Sequence, residues 1–191
     1  MEIKKADKLT NMKWLNLFDV AYKDKNGLNR SWQIATRARQ PKCVSGQFTE
    51  TDAVMMVPFH TSENKLVITR EYRVPLDDYE VSFPAGLVDA GESLEQAVGR
   101  ELKEETGLNL SRVIFISPPL YPSAGMTDES VAMVYIECDG RPSSAGNTAS
   151  ESIEVDFVSP SQAARLCNNP MLKFDAKAWL VLKNYSKTGL L

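Results

Sequence analysis

Histidine is nearly missing from this sequence, in which His60 is the only one among 191 residues. That scarcity nearly excludes catalytic triads, histidine relays and His-rich metal sites. Cysteine is scarce as well, and Cys43, Cys138 and Cys167 lie far apart with no Cys-x-x-Cys pair. The sequence therefore predicts neither a disulfide framework nor a zinc site, and acid-base chemistry falls to carboxylates. His60 stands beside a predicted turn, where we expect it at the surface.

Long apolar runs and an excess of basic charge are also absent. No run of about 18 apolar residues occurs, and the opening MEIKKADKLTNMKW lacks the apolar centre of a signal peptide. The net charge is −3 and the pI is near 5.3, which gives no basic footprint for nucleic acid or membrane. We therefore expect a cytoplasmic protein, in which a phosphate-bearing substrate would need metal ions or local arginines.

The most informative stretch covers residues 86–108, GLVDAGESLEQAVGRELKEETGL. Ser93 with Gln96 three residues later has the form of a capping box. Gly107 followed by the apolar Leu108 has the form of a left-handed C-cap. The stretch therefore predicts a loop followed by a helix from about residue 94 to about residue 106.

Two carboxylates fall on the apolar side of this predicted helix. At about 100° per residue, Glu101 and Glu105 lie within the stripe that Leu94, Ala97 and Val98 form. A surface helix normally turns its carboxylates away from that stripe, and withdrawing an unpaired carboxylate from water costs on the order of several kcal/mol. A cation is therefore expected at this face.

Glu104 lies beside the same row, so three carboxylates can converge on one point. Oxygen-rich anionic clusters without histidine suit Mg²⁺ or Mn²⁺. Arg100, one turn before Glu104, could pair with it and hold its rotamer. The alternative interpretation is a solvated charged helix with i,i+4 ion pairs, and the helical phase favours the metal site.

The same stretch resembles the Nudix box, a glycine, five residues, a glutamate, seven residues and then Arg-Glu-apolar-any-Glu-Glu-any-Gly-apolar. The matching positions are Gly86, Glu92, Arg100, Glu101, Leu102, Glu104, Glu105, Gly107 and Leu108. Resemblance to Nudix hydrolases implies a loop-helix-loop that binds divalent metals and hydrolyses a nucleoside diphosphate linked to another group. Among the residues of the box, Glu104 and Arg100 join the catalytic candidates.

The N-terminal part of the chain predicts a β-hairpin, because two alternating runs, 14–22 and 30–36, flank an Asn-Gly pair. We expect this arm over residues 1–47 and the hydrolase domain over 48–191. The order of Trp14, Arg30, Trp32 and Arg37 is similar to that in ADP-ribose pyrophosphatases of the Nudix family. That resemblance implies a homodimer through the arm, possible exchange of strands between subunits, and an adenine sandwiched between Trp14 and Trp32.

On the same resemblance Gln33 would approach the edge of the base, and Arg37 would bind substrate. The alternative role for both tryptophans is packing in the core. The spacing from Arg73 to the Pro-Ala-Gly element also resembles that subgroup, in which the arginine contacts the diphosphate and the alanine carbonyl, here of Ala85, ligates a metal. The sequence departs at Ser82, where the subgroup commonly has glutamate, and Glu80 on the same strand face is the candidate substitute.

Two glutamates are candidates for the general base. Residues 118–129 resemble the Ser-Pro-Gly-x-x-x-Glu element of the subgroup, with Ala124 in place of the proline, and they end at Glu129. The polar segment 141–150 leads to Glu151, which fits the position of the proposed base in relatives. We prefer Glu151, because a glutamate on a flexible loop can close over substrate.

Strand-rich halves around a central helix, closed by helices at 159–168 and 174–186, predict an α+β fold. The resemblance implies a Nudix-like α/β/α sandwich with a mixed central sheet and an N-terminal β-hairpin arm. The expected activity is hydrolysis of ADP-ribose to AMP and ribose 5-phosphate with Mg²⁺, or with Mn²⁺. Three alternatives remain open: hydrolysis of GDP-mannose or another nucleotide sugar, a non-catalytic nucleotide sensor, and hydrolysis of oxidised nucleoside triphosphates.

Overall fold

The computed structural model describes residues 1–143, 145–146 and 152–190. These residues form eleven strands, four α-helices and one 3-10 helix, Val74–Leu76. The chain divides into two compact units, Met1–Ala53 with Pro118–Ala132, and Val54–Ser117 with Met133–Leu191. The predicted 1–47 arm lies within the first unit, which a later segment of the chain completes.

The first unit contains a three-stranded antiparallel sheet in the order β1-β2-β3. Its strands are β1 (Glu2–Lys8), β2 (Asn16–Lys23) and β3 (Asn29–Thr36), and the short helix α1 (Lys42–Ser45) follows. The predicted hairpin is confirmed, because β2 and β3 pair across a turn in which Gly27 has a left-handed φ of 79°. Strand β1 carries no apolar alternation, so only its pairing with β2 identifies it.

Segment 118–132 is hydrogen-bonded to strand β3 and to helix α1 of the first unit. Ala35 N–H donates to the Met126 carbonyl at 2.8 Å. The buried Lys42 ammonium donates to Asp52 Oδ2 at 2.5 Å and to Ser130 Oγ at 2.8 Å. Although burial raises the pKa of Asp52, the hydrogen bonds from Lys42 and Ser130 hold that pKa below its ordinary value. A buried polar network therefore fixes this segment to the sheet-bearing part of the unit.

The second unit is built on a larger sheet with the order β11-β6-β5-β4-β9-β8, to which β10 adds on β5 and β7 adds on β4. Strand β11 runs parallel to β6, whereas β5 and β6 are antiparallel, so the sheet is mixed. The strands are β4 (Ala53–His60), β5 (Lys65–Arg73), β6 (Asp78–Ser82), β7 (Ala85–Leu87), β8 (Asn109–Ile116), β9 (Val131–Asp139), β10 (Ile153–Val158) and β11 (Lys173–Phe174), and the helices are α2 (Leu94–Thr106), α3 (Pro160–Cys167) and α4 (Ala176–Thr188).

The core of the second unit lies where apolar strands meet one side of each helix. Fully buried side chains from β4, β5, β9, α2 and α4 are Met56, Leu66, Ile68, Ile136, Leu102 and Leu182. The predicted α+β fold with a mixed central sheet is confirmed. None of the helices in the described part of the chain is long and apolar enough to cross a bilayer.

The expectation that His60 lies at the surface is wrong, because the side chain is only 3% exposed. Its Nε2 lies 3.0 Å from the Gly140 carbonyl oxygen, and its Nδ1 accepts the Glu63 N–H at 3.2 Å. The ring also packs edge-on against Phe157. Both ring nitrogens thus have backbone partners, and these contacts hold the imidazole in a buried position beside the turn.

Candidate active site

Helix α2 begins and ends where the sequence predicts. The Ser93 hydroxyl accepts the Gln96 N–H at 3.2 Å, and the Gln96 side chain accepts the Ser93 N–H at 2.8 Å, which completes the capping box. At the other end Gly107 has φ 72°, and its N–H donates to the Lys103 carbonyl. The two caps fix the ends of α2, and with them the positions of its carboxylates within the second unit.

The burial of α2 follows the predicted phase. Ala97 and Val98 are buried, Glu101 and Glu105 are half-buried on the same side, and Glu104 is exposed. Two carboxylates are therefore partly withdrawn from water beside apolar side chains, as expected for groups that serve a cation.

Arg100 is the centre of a hydrogen-bond network at this helix. Its Nε and Nη2 donate to Glu92 at 2.9 and 2.8 Å, and Nη2 also donates to the Leu87 carbonyl at 3.0 Å. Its Nη1 donates to Glu101 at 2.7 Å and to Glu104 at 3.3 Å. The hydrogen bonds that Arg100 donates to Glu92 and Glu101 raise the pKa of its guanidinium. This fixed cation holds the loop against the helix and orients the carboxylate of Glu101.

Glu105 has a different environment from the other carboxylates of the helix. Its Oε2 accepts the Ala85 N–H at 3.0 Å, which joins the helix to strand β7. Burial raises the pKa of Glu105 to about 8, and the nearby charges of Glu71 and Glu101 add to that effect. Without a cation this carboxylate is therefore protonated near neutral pH, and a bound metal ion would favour its ionised form.

Gly86 lets the loop backbone approach the helix closely. A Cβ atom at this position would overlap the carboxyl group of Glu101. The glycine thus leaves a space that the predicted metal ligand fills, and any larger residue would displace that carboxylate.

The prediction that three carboxylates of α2 converge on one point is not met. Across residues 1–143, 145–146 and 152–190, no three histidine, cysteine or acidic side chains stand close enough together to hold a metal ion. The physical reason is Arg100, which takes Glu101 and Glu104, whereas Glu105 turns to the Ala85 amide. The donor set nevertheless fits a hard divalent cation, because it consists of carboxylates and includes the half-buried Glu105.

Arg73 lies on β5, between two carboxylates of the same unit. Its Nη1 donates to Glu71 Oε1 at 2.9 Å, and its Nε lies 3.6 Å from Glu80 Oε2. Glu80, the candidate substitute for the glutamate missing at Ser82, therefore contacts the arginine. Sequence reasoning missed Glu71, although residues two apart on a strand share a face, so its spacing from Arg73 was a usable signal.

The two tryptophans of the arm are not core residues in the first unit. Trp14 is 70% exposed, with the Lys13 ammonium 4.2 Å from the centre of its ring. Trp32 is 51% exposed, and its Nε1 donates to the Gly125 carbonyl at 3.2 Å. Gln33 is exposed next to Trp32 on β3, and consecutive side chains of a strand point to opposite faces. Exposed indole faces of this kind are available for stacking.

Arg37 and Glu129 are joined in the structure of the first unit. Arg37 Nε donates to Glu129 Oε2 at 2.8 Å, so a predicted substrate-binding residue neutralises one of the two candidate bases. Glu151, the preferred base, lies outside the residues that the structure describes.

The second unit thus combines an α+β fold with an acidic loop-helix-loop over residues 86–108. A family model described as the NUDIX domain matches residues 49–180. A Caenorhabditis elegans protein that bears the nudix hydrolase name is 34% identical over 158 residues, which cover 79% of this chain and 69% of that protein. An ADP-ribose pyrophosphatase of Saccharomyces cerevisiae is 30% identical over 140 residues, covering 73% of this chain.

The crystal structure of an ADP compounds hydrolase is similar in fold, with a TM-score of 0.74 and 24% sequence identity; the match covers 97% of this chain and 93% of the chain in that structure. The chain spans 59% of the length of the yeast relative. The chain therefore belongs to the Nudix family. Nudix hydrolases in general need a divalent metal ion.

Proposed function

We propose that this protein hydrolyses the diphosphate bond of ADP-ribose to give AMP and ribose 5-phosphate, with Mg²⁺ as its metal. The observation that carries the proposal is the pair of half-buried glutamates on α2, Glu101 and Glu105, beside the close-approaching Gly86. The names of relatives that act on ADP-ribose and ADP-sugars support the choice of substrate. GDP-mannose and other nucleotide sugars remain the second candidates.

In this proposal Glu101, Glu105 and the Ala85 carbonyl hold the metal, with Glu104 and Glu92 in support. The ion would neutralise the diphosphate oxygens and lower the pKa of the attacking water. Arg100 can release Glu101 without leaving its position, because its bonds to Glu92 and to the Leu87 carbonyl remain.

Arg73 would bind the diphosphate, and Arg37 would contribute to substrate binding once its pairing with Glu129 is exchanged. Trp14 and Trp32 would stack on the adenine, and Gln33 would approach the base edge. Because consecutive side chains of β3 point to opposite faces of the sheet, Gln33 and Trp32 would reach one base only if they came from different subunits.

We propose Glu151 as the general base, and we expect Glu151→Gln to lower kcat by about a hundredfold, within the range of general-base effects. The Mg²⁺ concentration for half-maximal activity should change little, because this residue would move a proton and hold no metal. Glu129→Gln is the matched variant, and its carboxylate is already paired with Arg37. A larger loss of kcat in Glu129→Gln than in Glu151→Gln would reverse the assignment.

The test of the whole proposal is a substrate panel of ADP-ribose, GDP-mannose, ADP-glucose, NADH and dGTP, each with Mg²⁺ or Mn²⁺. Phosphate release coupled to alkaline phosphatase gives kcat/KM for each. We expect ADP-ribose to be preferred and Trp32→Ala to lower its kcat/KM, since stacking on one base contributes about 1 to 3 kcal/mol. Preference for GDP-mannose would contradict the roles of the tryptophans, and no turnover would favour a nucleotide sensor.

We also propose that the protein is a homodimer through its arm. Exposed apolar side chains on the first unit support an interface there, and they include Met12, Trp14, Leu17 and Leu28. A monomer at micromolar concentration in light scattering would contradict this proposal. The free thiols of Cys43, Cys138 and Cys167 fit a reducing compartment, so we propose the cytoplasm as its location.

A further inference from the structure

Glu71 and Glu80 lie directly opposite each other in the antiparallel pairing of β5 and β6. Like charges at directly opposed positions of a sheet destabilise it. Both carboxylates reach the Arg73 guanidinium, so the arginine offsets part of their repulsion. A purely structural ion pair would need only one of these two glutamates.

The exposure of the three side chains is uneven. The side chains of Glu71 and Glu80 are 17% and 19% exposed, whereas that of Arg73 is 42% exposed. The carboxylates therefore form an inner support, and the guanidinium faces outward. Their contacts use Nη1 and Nε, and among the described residues no hydrogen bond from Nη2 is found. Guanidinium donors fixed in this way suit recognition of phosphate oxygens.

The cluster is also close to the carboxylate helix. The charge of Glu71 raises the pKa of Glu105, and the charge of Arg73 lowers it. The orientation of Arg73 is thus set beside a residue that we assign to the metal, where a diphosphate bound to that metal would lie.

We propose that Glu71 is a positioning residue that orients the Arg73 guanidinium toward the diphosphate of the substrate. This inference rests on the function proposed above and adds a residue to it. Glu80 restricts the arginine from the neighbouring strand, and Glu71 makes the shorter contact.

The test is a double-mutant cycle on Glu71 and Arg73, with kcat and KM for ADP-ribose measured at saturating Mg²⁺. We expect Glu71→Ala to raise KM about tenfold and to change kcat less than about threefold, because binding is lost before chemistry. Glu71→Gln keeps an acceptor oxygen and should recover part of that loss. In an Arg73→Ala background, Glu71→Ala should raise KM less than about twofold, because its effect passes through the arginine.

Glu154→Ala is the matched control. Glu154 on β10 pairs at 3.1 Å with Arg70, which lies on β5 as Arg73 does. The KM of this variant should stay within about twofold of the wild type, as expected for an exposed pair. If Glu71→Ala and Arg73→Ala change KM by factors that simply multiply in the double variant, the proposal is overturned, because the two residues would then act independently. A raised Mg²⁺ requirement in Glu71→Ala with unchanged KM would also overturn it, because Glu71 would then serve the metal.

An NMR measurement separates this inference from the proposed activity. The Arg73 Nη1–H signals, which report the hydrogen bond to Glu71 Oε1, should be resolved and slowly exchanging in the wild type and in Glu154→Ala, and lost in Glu71→Ala. If the wild type hydrolyses no nucleotide sugar but the signals behave in this way, the proposed function fails and the orienting contact stands. Signals unchanged by Glu71→Ala contradict the positioning role whatever the activity.

Discussion

Glu105→Gln is expected to lower kcat at least about a hundredfold, a loss of about 2.7 kcal/mol in transition-state stabilisation. The same variant should raise the stability of the metal-free protein. The amide can still accept the Ala85 N–H, but it carries no negative charge into the half-buried site. One substitution would thus remove catalysis and strengthen the fold, the combination expected where a site keeps a strained group for function.

The sign of the stability effect follows from the raised pKa of Glu105, about 8 in the folded protein against an ordinary value of 4.5. Below pH 4.5 both states bind the proton and the group costs nothing. Between these two pKa values the unfolded state releases the proton while the folded state retains it, so wild-type stability falls with rising pH and levels off above 8. At pH 7 the variant should be more stable by about 1 to 3 kcal/mol.

Urea unfolding in EDTA at pH 5 and pH 8 measures this difference, and initial rates with ADP-ribose at saturating Mg²⁺ measure the catalytic loss. The control is Glu104→Gln, which changes an exposed carboxylate of the same helix and should alter stability by less than about 0.5 kcal/mol. Retention of more than about a tenth of the wild-type kcat in Glu105→Gln, a loss below about 1.4 kcal/mol, would make the metal role wrong.

Gly86→Ala should impair the enzyme without removing any functional group. The added methyl would overlap the Glu101 carboxyl group, which can swing away because it ends a flexible side chain. We expect kcat to fall about thirtyfold to a hundredfold and the Mg²⁺ requirement to rise, since a misplaced ligand weakens both binding and chemistry. The free energy of unfolding should change by less than about 1 kcal/mol, because alanine has no backbone penalty in a strand such as β7.

Gly99→Ala is the control for this substitution, since Gly99 lies on α2, the helix that Gly86 approaches, and its added methyl would meet only Leu110 at 3.8 Å. Its activity should match the wild type. The steric explanation also predicts rescue, because Glu101→Asp shortens the displaced side chain. The Gly86→Ala/Glu101→Asp enzyme should exceed Gly86→Ala in kcat by about threefold, a recovery of about 0.7 kcal/mol. No recovery would show that Gly86 acts in another way.

The parts of this protein that the sequence predicts are governed by local chemistry. Helix α2 has the expected bounds because Ser93, Gln96 and Gly107 satisfy the backbone at its two ends. The hairpin forms as expected because Gly27 supplies the left-handed residue that the turn requires. Helical phase likewise places Glu101 and Glu105 on the half-buried side, since that phase depends only on spacing along one helix.

The structural features that the sequence does not predict depend on partners distant in the chain. Glu71 meets Glu80 only through the register of β5 with β6, and His60 is buried by the Gly140 carbonyl and Phe157. The carboxylates of α2 do not gather because an arginine of their own helix competes for them, and side-chain rotamers are not readable from spacing. Strand β1 has a charged sequence without apolar alternation, so its extended conformation depends on pairing with β2.

Segment 118–132 has an evolutionary consequence. It follows strand β8 of the second unit, but it supplies the Gly125 and Met126 carbonyls that bind β3 and the Ser130 hydroxyl that binds Lys42. The first unit is therefore not encoded by one continuous stretch that recombination could transfer alone to another hydrolase gene. An exchanged arm would arrive without the loop that completes it, so the two stretches must be inherited together and must change in concert.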